Sequence, residues 1–65
     1  MQSNDIVMHS VKDIQRMFNF SLTQTYSLVK ANGFPSIRIG GRILVEKHAL
    51  ESWLKKNQGK KVELG

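Results

Sequence analysis

The 65-residue chain has no cysteine, one proline, one tryptophan, one tyrosine and only five acidic side chains. Each shortage excludes something. Without cysteine there is neither a disulfide framework nor a thiolate zinc site, a composition that fits a reducing compartment. The two histidines, His9 and His48, stand far apart without acidic neighbours at ligand spacing, so surface or helix-end roles are expected and no metal. No apolar run approaches the roughly 20 residues of a membrane span, and no secretory pattern opens the chain, so a soluble, cytoplasmic protein without membrane contact is expected. The carboxylates Asp5, Asp13, Glu46, Glu51 and Glu63 are scattered. No His–Ser or His–carboxylate grouping and no phosphate-binding glycine loop accompanies them, so neither catalytic residues nor a cofactor is expected, and the chain reads as a non-enzyme.

What is present is positive charge. Ten Lys and Arg residues give a formal net charge of +5, which favours a polyanionic partner over a surface that merely carries more lysine than glutamate. Residues 12–42 hold most of the imbalance, with Lys12, Arg16, Lys30, Arg38 and Arg42 set against Asp13 alone. The length suits one small domain, whose core supplies only about 3–5 kcal/mol of net stability without staples.

Residues 1–5 are polar and expected to fray, and Ile6-Val7-Met8 reads as an extended apolar stretch against the core. Ser10 is a helix N-cap with Asp13 three residues on, and Val11, Ile14, Met17 and Phe18 form one helical face. After Asn19, the pair Ser21 and Gln24 matches a second capping box, with Phe20 placed for a weak staple. The helix from Leu22 to Ala31 turns Thr25, Leu28 and Val29 inward and Thr23, Gln24, Ser27 and Lys30 outward, and Asn32-Gly33 stops it. Pro35 prevents its resumption. Two short helices joined by about three residues are the sequence form of a helix-turn-helix. The outward face of the second holds short hydroxyls, an amide and a lysine, suited to base edges and phosphates but also compatible with a plain solvated surface.

Two β-branched runs flanking Gly40-Gly41 read as a hairpin. A two-residue turn would put Arg42 and Leu44 on the face of Ile37 and Ile39. A three-residue loop, Gly40-Gly41-Arg42, gathers Ile37, Ile39, Ile43 and Val45 instead, and is expected because it separates apolar from polar residues better. It leaves Arg38 on the outer face and Arg42 at the tip. A last helix beginning near Glu46 places Leu50, Trp53 and Leu54 at core spacing, with Lys55 and Lys56 in its final turn. The reading is mainly α with a small β-hairpin, in the order helix-helix-hairpin-helix. An extended segment over 1–9 precedes the domain at 10–56, and a flexible basic tail over 57–65 follows it.

The set Ser10-Val11-Lys12-Asp13-Ile14, Phe20-Ser21, Tyr26-Ser27-Leu28-Val29-Lys30, Phe34-Pro35-Ser36-Ile37-Arg38-Ile39-Gly40-Gly41-Arg42, Ala49-Leu50 and Trp53-Leu54 resembles the excisionase family of DNA-binding domains, a branch of the MerR-like winged helices. The resemblance covers roughly residues 8–56. It implies a winged helix-turn-helix whose second helix enters the major groove while the wing lies along the adjacent minor groove or backbone. It further implies an accessory protein of a bacterial mobile element that binds double-stranded DNA in several copies, and since the sequence offers no spare apolar face large enough for a stable dimer, a monomer in solution whose copies meet cooperatively on DNA is expected. Such a protein bends DNA and steers a separate integrase, of the tyrosine type, toward excision. Leu22, Thr23, Tyr26, Ser27 and Lys30 match the family's DNA-facing helix positions, and Arg38 and Arg42 those of its wing. Leu22 and Ser27 depart from the pattern, standing where the family often carries a basic residue. From the residues themselves, Lys12, Arg16, Lys30, Arg38 and Arg42 are expected to neutralise phosphates, and Thr23, Gln24 and Ser27 to choose sequence, with Gln24 directed at adenine. A small transcriptional regulator and a protein-interaction adaptor on the same fold are the alternatives.

Overall fold

A computed structural model describes residues 6–64. The polar opening stretch 1–5 and Gly65 lie outside the described residues. The elements run β1 (Met8–Ser10), α1 (Val11–Phe18), α2 (Leu22–Val29), β2 (Ser36–Ile39), β3 (Arg42–Glu46) and α3 (Lys47–Lys56). Three helices thus accompany a small antiparallel sheet of order β1-β3-β2, the architecture of a winged helix-turn-helix.

Each helix begins on a side-chain cap that satisfies backbone N–H groups the helix itself leaves unpaired. At α1 the Asp13 N–H donates to Ser10 Oγ and the Ser10 N–H donates back to Asp13 Oδ2. At α2 the Gln24 N–H donates to Ser21 Oγ and the Ser21 N–H to Gln24 Oε1. At α3 the Ala49 N–H donates to Glu46 Oε1. Between the first two helices Asn19 takes the left-handed conformation, φ 56° and ψ 43°, and the Phe20 N–H reaches back to the Gln15 carbonyl. That closes α1 in the Schellman manner and swings the chain into α2 after three residues. Helix α2 is shorter than the expected span to Ala31. Lys30 is already its C-cap, the Ala31 N–H donates to Leu28 O, and Asn32-Gly33 belong to the turn that follows.

The core consists of Ile14, Leu28, Val29, Phe34, Val45 and Leu50, with Phe18, Phe20, Ile43 and Trp53 packed on its edge. Phe34 meets Trp53 edge to face, with ring centroids 4.8 Å apart. Thr25, fully buried, is satisfied because its hydroxyl donates to the Ser21 carbonyl. Three expectations about apolar residues need correction. Met17 is 49% exposed, because the buried stripe of α1 runs through Ile14 and leaves Met17 to one side. Ile6 and Val7 are exposed as well. Their segment joins the fold through its backbone, for β1 pairs with β3 and the Lys47 N–H donates to Val7 O. Leu54 is half-exposed at the rim of a cavity of about 350 Å³, where Phe18, Phe20 and the tail residues Val62 and Leu64 also lie.

The hairpin register is the principal correction. Ser36 pairs with Val45, Ile37 with Leu44, Arg38 with Ile43 and Ile39 with Arg42, so the loop is the two residues Gly40-Gly41 and not three. Gly40 has φ 63° while Gly41 is not left-handed, the pattern of a type II′ turn, whose twist matches the strands it joins. The other end is pinned too: the Ser36 hydroxyl donates to Val29 O at 2.8 Å, which requires Ser36 to face inward beside Val45. Turn geometry and this one hydrogen bond outweigh apolar segregation. Ile37 and Ile39 are left outside, 46% and 55% exposed, because Phe34 and Trp53 already fill the interior. Arg38 lies on the inward side of the ladder yet remains exposed, and Arg42 opens β3 on the side of Ile37 and Ile39. Neither arginine therefore lies where it was expected: Arg38 has left the outer face, and Arg42 has left the tip for it.

Candidate nucleic-acid interface

The outer surface of α2 is shaped by which of its residues the core takes. Thr25, Leu28 and Val29 are buried, so at 3.6 residues per turn Thr23, Tyr26, Ser27 and Lys30 must face away, and together they line one shallow groove. Tyr26 also borders a second groove, formed with Ser10, Val11 and Lys12 at the start of α1 and with Gly41, Arg42 and Ile43 of the wing. Since Tyr26 is common to both, the exposed face of α2, the start of α1 and the wing form one continuous surface.

Three cations stand on it. Lys12 of α1 and Arg42 of the wing both line the second groove, and the Lys30 ammonium sits 5.6 Å from the centroid of the Tyr26 ring. That cation–π contact holds Lys30 near the middle of the surface and covers one face of the ring. Among the described residues no acidic side chain lines either groove. Arg38 is exposed on the neighbouring strand but lines neither. The structure therefore brings together Lys12, Thr23, Tyr26, Ser27, Lys30 and Arg42 among the residues singled out from sequence.

Three others are placed differently. Arg16 turns to Asp13, with Nη2 3.2 Å from Oδ1, and borders a separate groove with Val7, Met8 and Met17. Its charge is thereby partly matched and directed elsewhere. Gln24 is exposed, but the carbonyl oxygen that a bidentate adenine contact needs accepts the Ser21 N–H at 3.1 Å. The capping bond commits one of that oxygen's two lone pairs and turns it toward the start of the helix. Leu22, the first residue of α2, is 50% exposed beside the groove-lining residues. Sequence reasoning missed Ser10 and Val11, which carry the second groove from α1 toward the wing. The signal was present in the cap, because a strand ending in the N-cap of α1 sets that helix against the sheet.

The carboxylates of the caps are the titrating groups with resolved perturbations. The Ser10 N–H holds Asp13 below its ordinary pKa, aided by the Ser10 hydroxyl and by Arg16. The His48 and Ala49 N–H groups do the same for Glu46, whose Oε2 also lies 3.3 Å from His48 Nδ1. Both act at helix starts and neither belongs to the cationic surface. Among the described residues no group of three His, Asp or Glu side chains is placed to hold a metal, and no helix is long and apolar enough to cross a membrane.

A surface of this kind, with a short exposed helix beside a wing and positive charge on both, suits the groove and backbone of a duplex. Comparison with known proteins agrees. A family model described as a helix-turn-helix domain matches residues 10–58, from the cap of α1 to just beyond α3. No curated protein and no solved structure matches the chain. The family match spans most of the sequence, and the chain belongs to the helix-turn-helix domain family, as a small DNA-binding protein.

Proposed function

We propose that the protein is an architectural DNA-binding factor of the excisionase type. In this reading α2 enters the major groove and the wing follows the adjacent minor groove or backbone. Several copies, monomeric in the cytoplasm, occupy repeated sites on the bacterial chromosome. The bend they impose steers a tyrosine-type integrase toward excision of a mobile element, and the protein performs no chemistry of its own. The observation that carries the reading is the Tyr26-centred surface, which joins the exposed face of the helix to the wing. The motif set from Ser10 to Trp53 supplies the excisionase character by resemblance. The sparse charge of α2, with Lys30 alone, favours binding that gains from neighbouring copies or from the recombinase.

Footprinting on the DNA flanking the gene, with and without the neighbouring integrase, tests this. Protection of repeats near an attachment site, strengthened by integrase, is expected, together with a shift of recombination toward excision. Protection confined to a promoter, with no effect on recombination, would replace the reading with that of a transcriptional regulator. Binding to a partner protein with no protection of any DNA would favour an adaptor instead.

A further inference from the structure

The first turn of α2 is the part of a recognition helix that meets base edges most directly. Here its polar options are largely spent. Thr25 is buried, and the acceptor oxygen of Gln24 is held by the Ser21 N–H. The side chains left free are Leu22, half-exposed at the first helical position, and Thr23 beside it. One turn further along, Tyr26 has a ring face covered by the Lys30 ammonium. The leading edge of α2 is therefore carbon-rich, on a chain whose net charge is positive. In the major groove the feature that apolar carbon recognises is the C5-methyl of thymine.

We propose that Leu22 is a specificity-determining residue that packs on the C5-methyl group of a thymine in the bound site. The proposal rests on α2 docking in the major groove. It has a corollary: 5-methylcytosine carries the same methyl at the same ring position, so the contact accepts a methylated cytosine where it rejects an unmethylated one.

The test begins with duplexes selected from a random library by the full-length protein. Each thymine of the selected site is then replaced singly by deoxyuridine, which keeps the base pair and removes only the methyl. At one or two positions the wild-type protein should lose about fourfold in affinity, the worth of one buried methyl-sized group. Leu22→Ala and Leu22→Ser should bind the parent site correspondingly less well and show no further loss with deoxyuridine at that position, the coupling that a direct contact requires. Because Leu22 is half-exposed and lies outside the core, both variants should fold and melt within about 4 °C of the wild type. Insensitivity to deoxyuridine at every position overturns the methyl contact while leaving DNA binding intact. An undiminished deoxyuridine effect in both variants overturns the assignment to Leu22 and moves it to Thr23. Failure to select any duplex overturns the docking on which the proposal stands.

Discussion

The separation of Arg16 from the cationic surface makes a quantitative prediction about salt. Lys12, Lys30 and Arg42 line the two grooves and Arg38 is exposed on the other strand of the hairpin, whereas Arg16 is tied to Asp13 and faces another groove. If each of these four neutralises one phosphate, log K falls with log salt at a slope of about −3.6, from the rule of roughly −0.9 per phosphate. Affinity should then drop by about 150-fold between roughly 50 and 200 mM salt. Arg42→Ala removes one contact, so the slope should ease to about −2.7 and the same change of salt should cost only about 40-fold. Arg16→Ala should leave the slope at the wild-type value. The exposed Arg16–Asp13 pair is worth at most about 1 kcal/mol, so that variant also folds normally.

Fluorescence anisotropy on one labelled duplex, titrated at four or five salt concentrations, measures all three slopes. Equal reductions from Arg16→Ala and Arg42→Ala would refute the reasoning, since they would place Arg16 on the phosphates despite its partner. A wild-type slope near zero would refute the electrostatic basis of binding altogether.

Other outcomes follow from the caps and the turn. Gln24→Ala should cost about 1 kcal/mol through the lost capping box and lower the melting temperature by about 4–8 °C, whereas Gln24→Glu, which keeps the box, should melt near wild type. In urea unfolding, Gly40→Ala should destabilise by about 1–2 kcal/mol, because its backbone is left-handed and no neighbouring atom crowds the site. Gly41→Ala, without that conformation, should stay within about 0.5 kcal/mol of wild type. Asp13 and Glu46 have carboxyls held below their ordinary values of 3.8 and 4.5, so the folded state favours their charged forms. Their stabilisation is therefore complete above those values and is lost as pH falls through the lower folded ones. Thermal melts from neutral to acid should show this decline, and Asp13→Asn should flatten it.

Much of this was legible in the sequence because it is local. The Ser10–Asp13 and Ser21–Gln24 boxes, the break at Asn19 and the inward set Thr25, Leu28 and Val29 depend on neighbours within one or two turns. What was misplaced depends on distant partners. The hairpin register is decided by Ser36 reaching Val29 and by Phe34 and Trp53 occupying the interior, none of which a strand's own alternation reveals. The opening segment was read as extended, but its pairing as β1 at Met8–Ser10 was not anticipated, because Met-His-Ser carries no strand pattern and only the free edge of β3 gives it a partner. The site followed the same division: the helix residues fell where periodicity put them, while the register moved Arg38 off the outer face and Arg42 off the tip.

The short length of α2 ties its stability to its selectivity. An eight-residue helix is far below the length at which helices persist alone, so it depends on its cap and its buried face. The buried face takes Thr25, Leu28 and Val29, and the cap takes Ser21 together with the acceptor of Gln24. Gln24 is the side chain that would otherwise read an adenine. Freeing Gln24 to do so means giving up a cap worth about 1 kcal/mol, a sizeable fraction of the roughly 3–5 kcal/mol available to so small a core. A good bidentate adenine contact is worth about 1–3 kcal/mol, so the exchange nets at most about 2 kcal/mol on DNA and weakens the scaffold in the unbound state. On this helix the favourable division is for the amide to hold the backbone while hydroxyls, carbon and Lys30 face the duplex.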